Sequence, residues 1–174
     1  MQNNFSYPLK LEDISSASKQ YSFTASEDEL VFVASILKVP SVKSFQSVIN
    51  ITLNKPEHLI NLTGCLDAMI EQTSVISLEN FIRPYHSEFT RTYDTKLTYA
   101  QQREMEEFED INADIPDVME NGIIDLKAVA LEALALELDD FPKQPGELFS
   151  FTPDFDINTD KPQNPFAILE KLKK

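Results

Sequence analysis

Asp125-Leu-Lys-Ala-Val-Ala-Leu-Glu-Ala-Leu-Ala-Leu-Glu-Leu138-Asp-Asp-Phe-Pro142-Lys-Gln-Pro145-Gly146 is the stretch that decides the fold. Its first fourteen residues are nearly all strong helix formers. Asp125 can cap the start, because its carboxylate accepts from the open N–H groups of the first turn. Leu131, Leu134 and Leu138 share one face, with Ile124 just before; Leu126, Val129, Ala133 and Leu136 share the neighbouring one. So wide an apolar surface predicts a helix covered on most sides. Pro142 and Pro145 stop it. The expectation is a core helix with a sheet packed against it.

Upstream, the period changes to two. Ile49, Ile51 and Leu53 alternate with Asn50 and Thr52, and Lys55-Pro56-Glu57 makes a turn. Ile60, Leu62, Gly64, Leu66, Ala68 and Ile70 then line one side of a long strand. Asn61, Thr63, Cys65, Asp67, Met69 and Glu71 line the other, and this alternation is the clearest strand signal in the chain. Gly64 on the apolar side predicts a bend, or close approach of the helix. Two more strands are expected, over Ser74–Phe81 and over Tyr85–Tyr93. Short links between consecutive strands predict an antiparallel meander. Near the N-terminus, residues 5–14 read as extended chain with Pro8 at an edge, and Tyr21–Thr24 as a short strand. Ser26-Glu27-Asp28-Glu29 fits a capping box, opening a helix with Leu30, Val33, Ala34 and Leu37 on one stripe and Pro40 marking its end.

The fold class read from this pattern is α+β. An antiparallel sheet, barrel-like if it closes, packs on one long helix, with a shorter N-terminal helix and an irregular acidic tail. Residues 1–148 are expected to form one domain, and 149–174 an extended tail. The tail ends in a short amphipathic helix opened by Pro165.

The net charge is −14, unevenly spread: residues 1–100 carry 11 acids and 8 bases, residues 101–174 carry 18 and 7. Nucleic-acid binding needs cations to replace phosphate counterions, so a basic protein is the more plausible direct contact for the acidic half. Residues 103–121 hold eight acids and one base, Arg103. They read either as an acidic loop or as a partner-binding segment that orders on contact. In the second reading Glu106, Glu107, Glu109 and Asp110 supply charge and Phe108 an anchor. A separate possibility is RNA binding through Arg83, Tyr85, Arg91, Tyr93 and Lys96, with the tyrosines stacking on bases; the same tyrosines also fit a core.

Signals for catalysis are absent. His58 and His86 have no partner at metal-ligand spacing. Cys65, the single cysteine, has no adjacent base and fits a reducing compartment. Asp139 and Asp140 oppose the helix dipole and are expected in solvent or paired with Lys143. The three glycines are too scattered for a phosphate loop. No cofactor or metal is expected. No apolar run approaches the roughly 20 residues of a membrane span, and the N-terminus lacks a secretory pattern; a cytoplasmic location is expected.

Three pieces together resemble the YceD family, the large ribosomal RNA subunit accumulation proteins, in their alphaproteobacterial form. The first is Leu62-Thr-Gly64-Cys-Leu-Asp-Ala68, followed by Glu71-Gln-Thr-Ser74-Val-Ile-Ser-Leu78-Glu79. The second runs from Ile124-Asp125-Leu126 through Glu132–Leu136 to Asp140-Phe141-Pro142-Lys143-Gln144-Pro145-Gly146. The third is Asn164-Pro165-Phe166-Ala167-Ile168-Leu169 with its lysine-rich end. In their order they cover nearly the whole chain. Many members carry Cys where Ser74 stands and Pro where Asn80 stands, and related forms have Tyr-Pro-Arg in place of Phe141-Pro142-Lys143. Distant members have several cysteines suited to a metal; this chain has one, so a zinc-dependent role does not carry over. The resemblance implies a non-enzymatic factor that supports 23S ribosomal RNA accumulation. Its expected partner is a basic ribosomal protein or an assembly factor.

Overall fold

The computed structural model describes residues 5–108 and 114–149. The expected terminal helix and most of the tail lie outside the described residues, as do Glu109 and Asp110 and the side chain of Phe108.

The chain forms β1 (Pro8–Lys10), β2 (Lys19–Thr24), α1 (Glu27–Leu37), β3 (Ser41–Asn54), β4 (Leu59–Thr73), β5 (Asn80–Asp94), α2 (Tyr99–Phe108), β6 (Asp117–Val118), β7 (Ile123–Asp125) and α3 (Leu126–Glu137). Five strands make one sheet in the order β2-β3-β4-β5-β6. All its pairs are antiparallel except β5–β6, which is parallel through Tyr93–Asp117 and Asp94–Val118. β1 and β7 form a separate antiparallel ribbon. The fold is therefore α+β, with a mixed rather than wholly antiparallel sheet. The barrel alternative is corrected: β2 and β6 end the sheet on opposite sides, and among the described residues no strand joins them.

The strand expected over Ser74–Phe81 is also corrected. Residues 74–79 form a turn. Ser74 is fully buried, its Oγ accepts from the N–H groups of Ile76 (3.1 Å) and Ser77 (3.3 Å), and Leu78 sits at φ 62°. A hydroxyl that binds its own backbone two and three residues on favours a turn over a ladder. Val75 and Leu78 are exposed, so the run's apolar content served no common face.

Helices α1 and α3 pack on one side of the sheet. α1 begins with the expected capping box: Ser26 Oγ accepts from Glu29 N, and Ser26 N donates to Glu29 Oε2 at 2.9 Å. α3 begins as expected at Asp125, whose Oδ1 accepts from Ala128 N (3.2 Å) and also from Tyr7 N (2.9 Å). That second bond ties the N-terminal segment to the helix start. α3 buries Leu126, Val129, Ala130 and Leu134. Leu136 is 75% exposed, so the cover on most sides that its composition suggested is corrected to one buried stripe with flanks. Nor is there a single long helix: α1 has 11 residues and α3 has 12, and they share the sheet face. The core joins Val33 of α1 and Leu134 of α3 to Ile49, Ile51, Ile60, Leu62, Leu66 and Ile70 of the sheet. Each such side chain contributes about 1.5–3 kcal/mol when fully buried. Phe5 seals one end, edge-on to Phe45 with centroids 5.3 Å apart.

The acidic segment departs from a simple loop at both ends. Tyr99–Phe108 is helical, started by Thr98, whose N–H and hydroxyl both donate to Gln101 Oε1. Asp117–Val118 pairs with β5, and Met119 packs against the core.

Candidate partner-binding surface

Strand β5 places Arg83, Tyr85, Ser87, Phe89, Arg91 and Tyr93 opposite Ile70, Ala68, Leu66, Gly64, Leu62 and Ile60 of β4, on the side that faces the helices. The cations there meet carboxylates of the same chain. Arg91 contacts Glu132 (2.8 Å) and Asp117 (3.6 Å), and Arg83 contacts Asp139 (3.3 Å). Ser87 Oγ donates to Glu137 Oε1 at 3.0 Å. Three acids on or just after α3 thus stitch that helix to β5. Asp139 meets Arg83 rather than Lys143, which makes no ion pair among the described residues.

The tyrosines are drawn inward. Tyr85 is buried, and its hydroxyl donates to Gln72 Oε1 at 2.5 Å. Tyr93 is pushed up to about 12, chiefly by burial and then by the nearby Asp117 charge. Burial likewise raises the Asp117 carboxyl, against the pull of Arg91. Of the five residues considered for RNA, four therefore share one side of one strand. Lys96 lies beyond the strand end, exposed, with Nζ 2.8 Å from His58 Nε2. The two arginines join the sheet to acids on or just after α3, and the two tyrosines lie in or against the core.

The acidic candidates lie elsewhere. Glu106 and Glu107 are exposed on α2, as is Glu104, and none of them makes an ion pair among the described residues. Gln102 Nε2 bonds Pro116 O at 3.2 Å and Tyr99 bonds Glu120, so the helix is held to the return strand. α2 thus presents its carboxylates on a fixed element.

A second surface escaped the sequence reading. The segment after α3 turns back onto the β4–β5 turn. Val75 N donates to Pro142 O (2.9 Å), Gln144 N donates to Glu147 (2.8 Å), and the buried Ser74 hydroxyl donates to Glu147. Bonds from the Ser74 and Ser77 side chains, and then from Gln144 N, hold Glu147 below its ordinary value. The segment and the start of β5 enclose an open groove of about 520 Å³, lined by Ile82, Arg83, Asp139, Lys143, Pro145 and Leu148 among others. Ile82 and Leu148 of its lining are at least half exposed, as are Val75 and Leu78 of the β4–β5 turn and Phe141 and Phe149 of the segment after α3. Clustered apolar exposure of this kind marks a contact surface more often than scattered exposure does. The prolines of residues 141–146 were legible only as helix stops; their docking on Val75 joins positions 67 residues apart and left no local signal.

Among the described residues, no group of three His, Cys, Asp or Glu side chains is arranged to hold a metal ion, and no helix is long and apolar enough to cross a membrane. His86 meets Asp67 at 2.7 Å on the open sheet face. These features define an acidic α+β protein that offers surfaces with charge and apolar contact. A family model described as large ribosomal RNA subunit accumulation protein YceD matches residues 62–173, and the chain belongs to that family. That description ties the family to accumulation of the large ribosomal RNA. No curated protein and no solved structure matches the chain.

Proposed function

We propose that the protein is a non-enzymatic cytoplasmic factor, of the alphaproteobacterial kind. It supports accumulation of 23S ribosomal RNA by binding a basic protein, either a ribosomal protein of the large subunit or an assembly factor. The observation that carries this reading is the disposition of charge. Arg83 and Arg91 are spent on the chain's own carboxylates, while Glu104, Glu106 and Glu107 stand unpaired in solvent among the described residues. Such a surface speeds encounter with cationic proteins and disfavours RNA as a competitor. Glu109 and Asp110 extend the charge in sequence, with Phe108 as the apolar anchor.

The test uses the full chain and purified basic large-subunit proteins. Exchanging Glu104, Glu106 and Glu107 for lysine is expected to reduce capture at least tenfold at low salt; equal capture counts against the reading. The alternative, direct RNA contact through Arg83, Tyr85, Arg91, Tyr93 and Lys96, draws on the shared side of β5. It requires each arginine to exchange a carboxylate for a phosphate. Salt-titrated binding to large-subunit RNA fragments separates the two, since absence of affinity even at low salt removes the RNA reading.

A further inference from the structure

β5 pairs with β4 along all fifteen of its residues, but with β6 only at Tyr93 and Asp94. Residues 81–84 lie beside the segment after α3, across the groove described above. Between these two covers, among the described residues, nothing pairs with the outer edge of Tyr85–Thr92. Eight residues of strand span about 26 Å at ~3.3 Å per residue. An edge of this length is a ready template for another extended chain.

Its surroundings state which chain. Glu132 bonds Arg91, and Leu136 lies one turn further along the same stripe of α3. Leu136 is 75% exposed, so an apolar side chain stands next to carboxylates beside the strand. Glu137 reaches Ser87, and Glu88 is exposed on the opposite side of β5. We infer that the free edge of β5 accepts an extended, lysine-rich segment of a partner protein as an added strand. Its alternate side chains point toward α3, where aliphatic stems lie on Leu136 and an ammonium group reaches Glu137, whose carboxylate is met by the neutral Ser87 hydroxyl rather than by a cation. The other free edge, β2, is less suited: it is six residues long, Lys19 begins it, and Tyr7 packs over Tyr21 and Phe23 with ring centroids 5.8 and 5.0 Å away. This inference rests on the proposed binding of a basic partner and names where the partner's backbone docks.

The probe is a ten-residue peptide of alternating lysine and valine, compared with an analogue N-methylated at every residue. The analogue has the same charge but cannot complete a ladder. Binding to the full chain is read by fluorescence anisotropy at low salt, and amide exchange is followed along β5. The inference expects at least tenfold weaker binding of the analogue, and new protection, with the parent peptide, of those amides within residues 85–92 that point away from β4. Equal binding of both peptides without that protection overturns it. If that binding is then lost on reversing the α2 charges, the general reading stands while the edge site falls. Protection, already present in the free chain, of the amides of residues 85–92 that point away from β4 also overturns it, because another part of this chain then occupies the edge. Failure of both peptides and of basic large-subunit proteins to bind overturns both readings.

Discussion

The ring of Phe89 lies over Gly64. The two are direct partners on β5 and β4, and a Cβ built on Gly64 would stand 2.5 Å from the ring's Cζ. The close approach expected at Gly64 is therefore a neighbouring strand's aromatic ring, and the helix has no part in it. A glycine in a strand costs packing, and a cross-strand ring restores it.

Gly64→Ala should destabilise the protein by about 1–2 kcal/mol, because the ring must swing away from well-packed neighbours. In a Phe89→Ala background the same change should be neutral or stabilising, since only the conformational freedom of glycine is then lost. Urea denaturation of the four proteins measures this coupling directly.

Glu29 and Lys127 join α1 to α3, and both side chains are largely covered. Burial raises the Glu29 carboxyl, but the bonds from Lys127 and from Ser26 outweigh it and leave the group below its ordinary 4.5. A carboxyl depressed in the fold contributes stability above its unfolded pKa and loses it as pH falls through the folded one. Stability should therefore drop as pH falls below about 4.5. Lys127→Met should cost about 1–3 kcal/mol near neutral pH by leaving Glu29 unpaired. It should also flatten the acid slope, a change that denaturation across pH 3–6 would reveal.

Tyr93 gives the opposite dependence. Its phenol is raised from 10.0 to about 12 in the fold. A raised pKa means that its contribution is complete below the unfolded value and is lost as pH rises from 10 through 12. Burial raises Tyr85 and the bond to Glu120 raises Tyr99, so absorbance titration should show Tyr93 contributing to a late phase, together with loss of structure. Tyr93→Phe should reduce that late phase by one tyrosine's amplitude.

Ser74→Ala should free the segment after α3. The buried hydroxyl serves two N–H groups and Glu147, and losing such a group costs about 1–3 kcal/mol. Residues 140–149 should become protease-sensitive before the sheet unfolds, and Ser77→Ala, which removes only a second bond to Glu147, should have a smaller effect in the same direction. Equal sensitivity of the Ser74→Ala and native proteins would show that the contact does not hold the segment.

Arg91→Leu should lower stability by about 1–3 kcal/mol, because Asp117 and Glu132 then lack their common cation. Adding Glu132→Leu should recover part of that loss. A residue serving RNA alone would weaken RNA binding with the melting temperature unchanged.

Some elements were legible because their causes are local. The Ser26–Glu29 box lies within four residues, and Asp125 caps a helix that starts at the next position. The alternation of residues 60–71 depends on the sheet having one wet and one dry side, which a period of two reports faithfully. Phe108, Glu106 and Glu107 stood out by composition, and their helix is opened by Thr98, a signal the acid content masked. The turn at residues 74–79 was misread because its branched residues imitate a strand, while the deciding contact is one hydroxyl with its own backbone.

By itself the sequence determined the α1 and α3 starts, the β3–β4 hairpin, the acidic surplus and the family, since each follows from neighbouring residues or from composition. Only the tertiary structure decided that the sheet stays open, that Arg83 and Arg91 are taken up by acids on and just after α3, and that residues 141–147 dock on the β4–β5 turn. Those outcomes depend on pairs 41–73 residues apart, whose meeting is fixed by the common core.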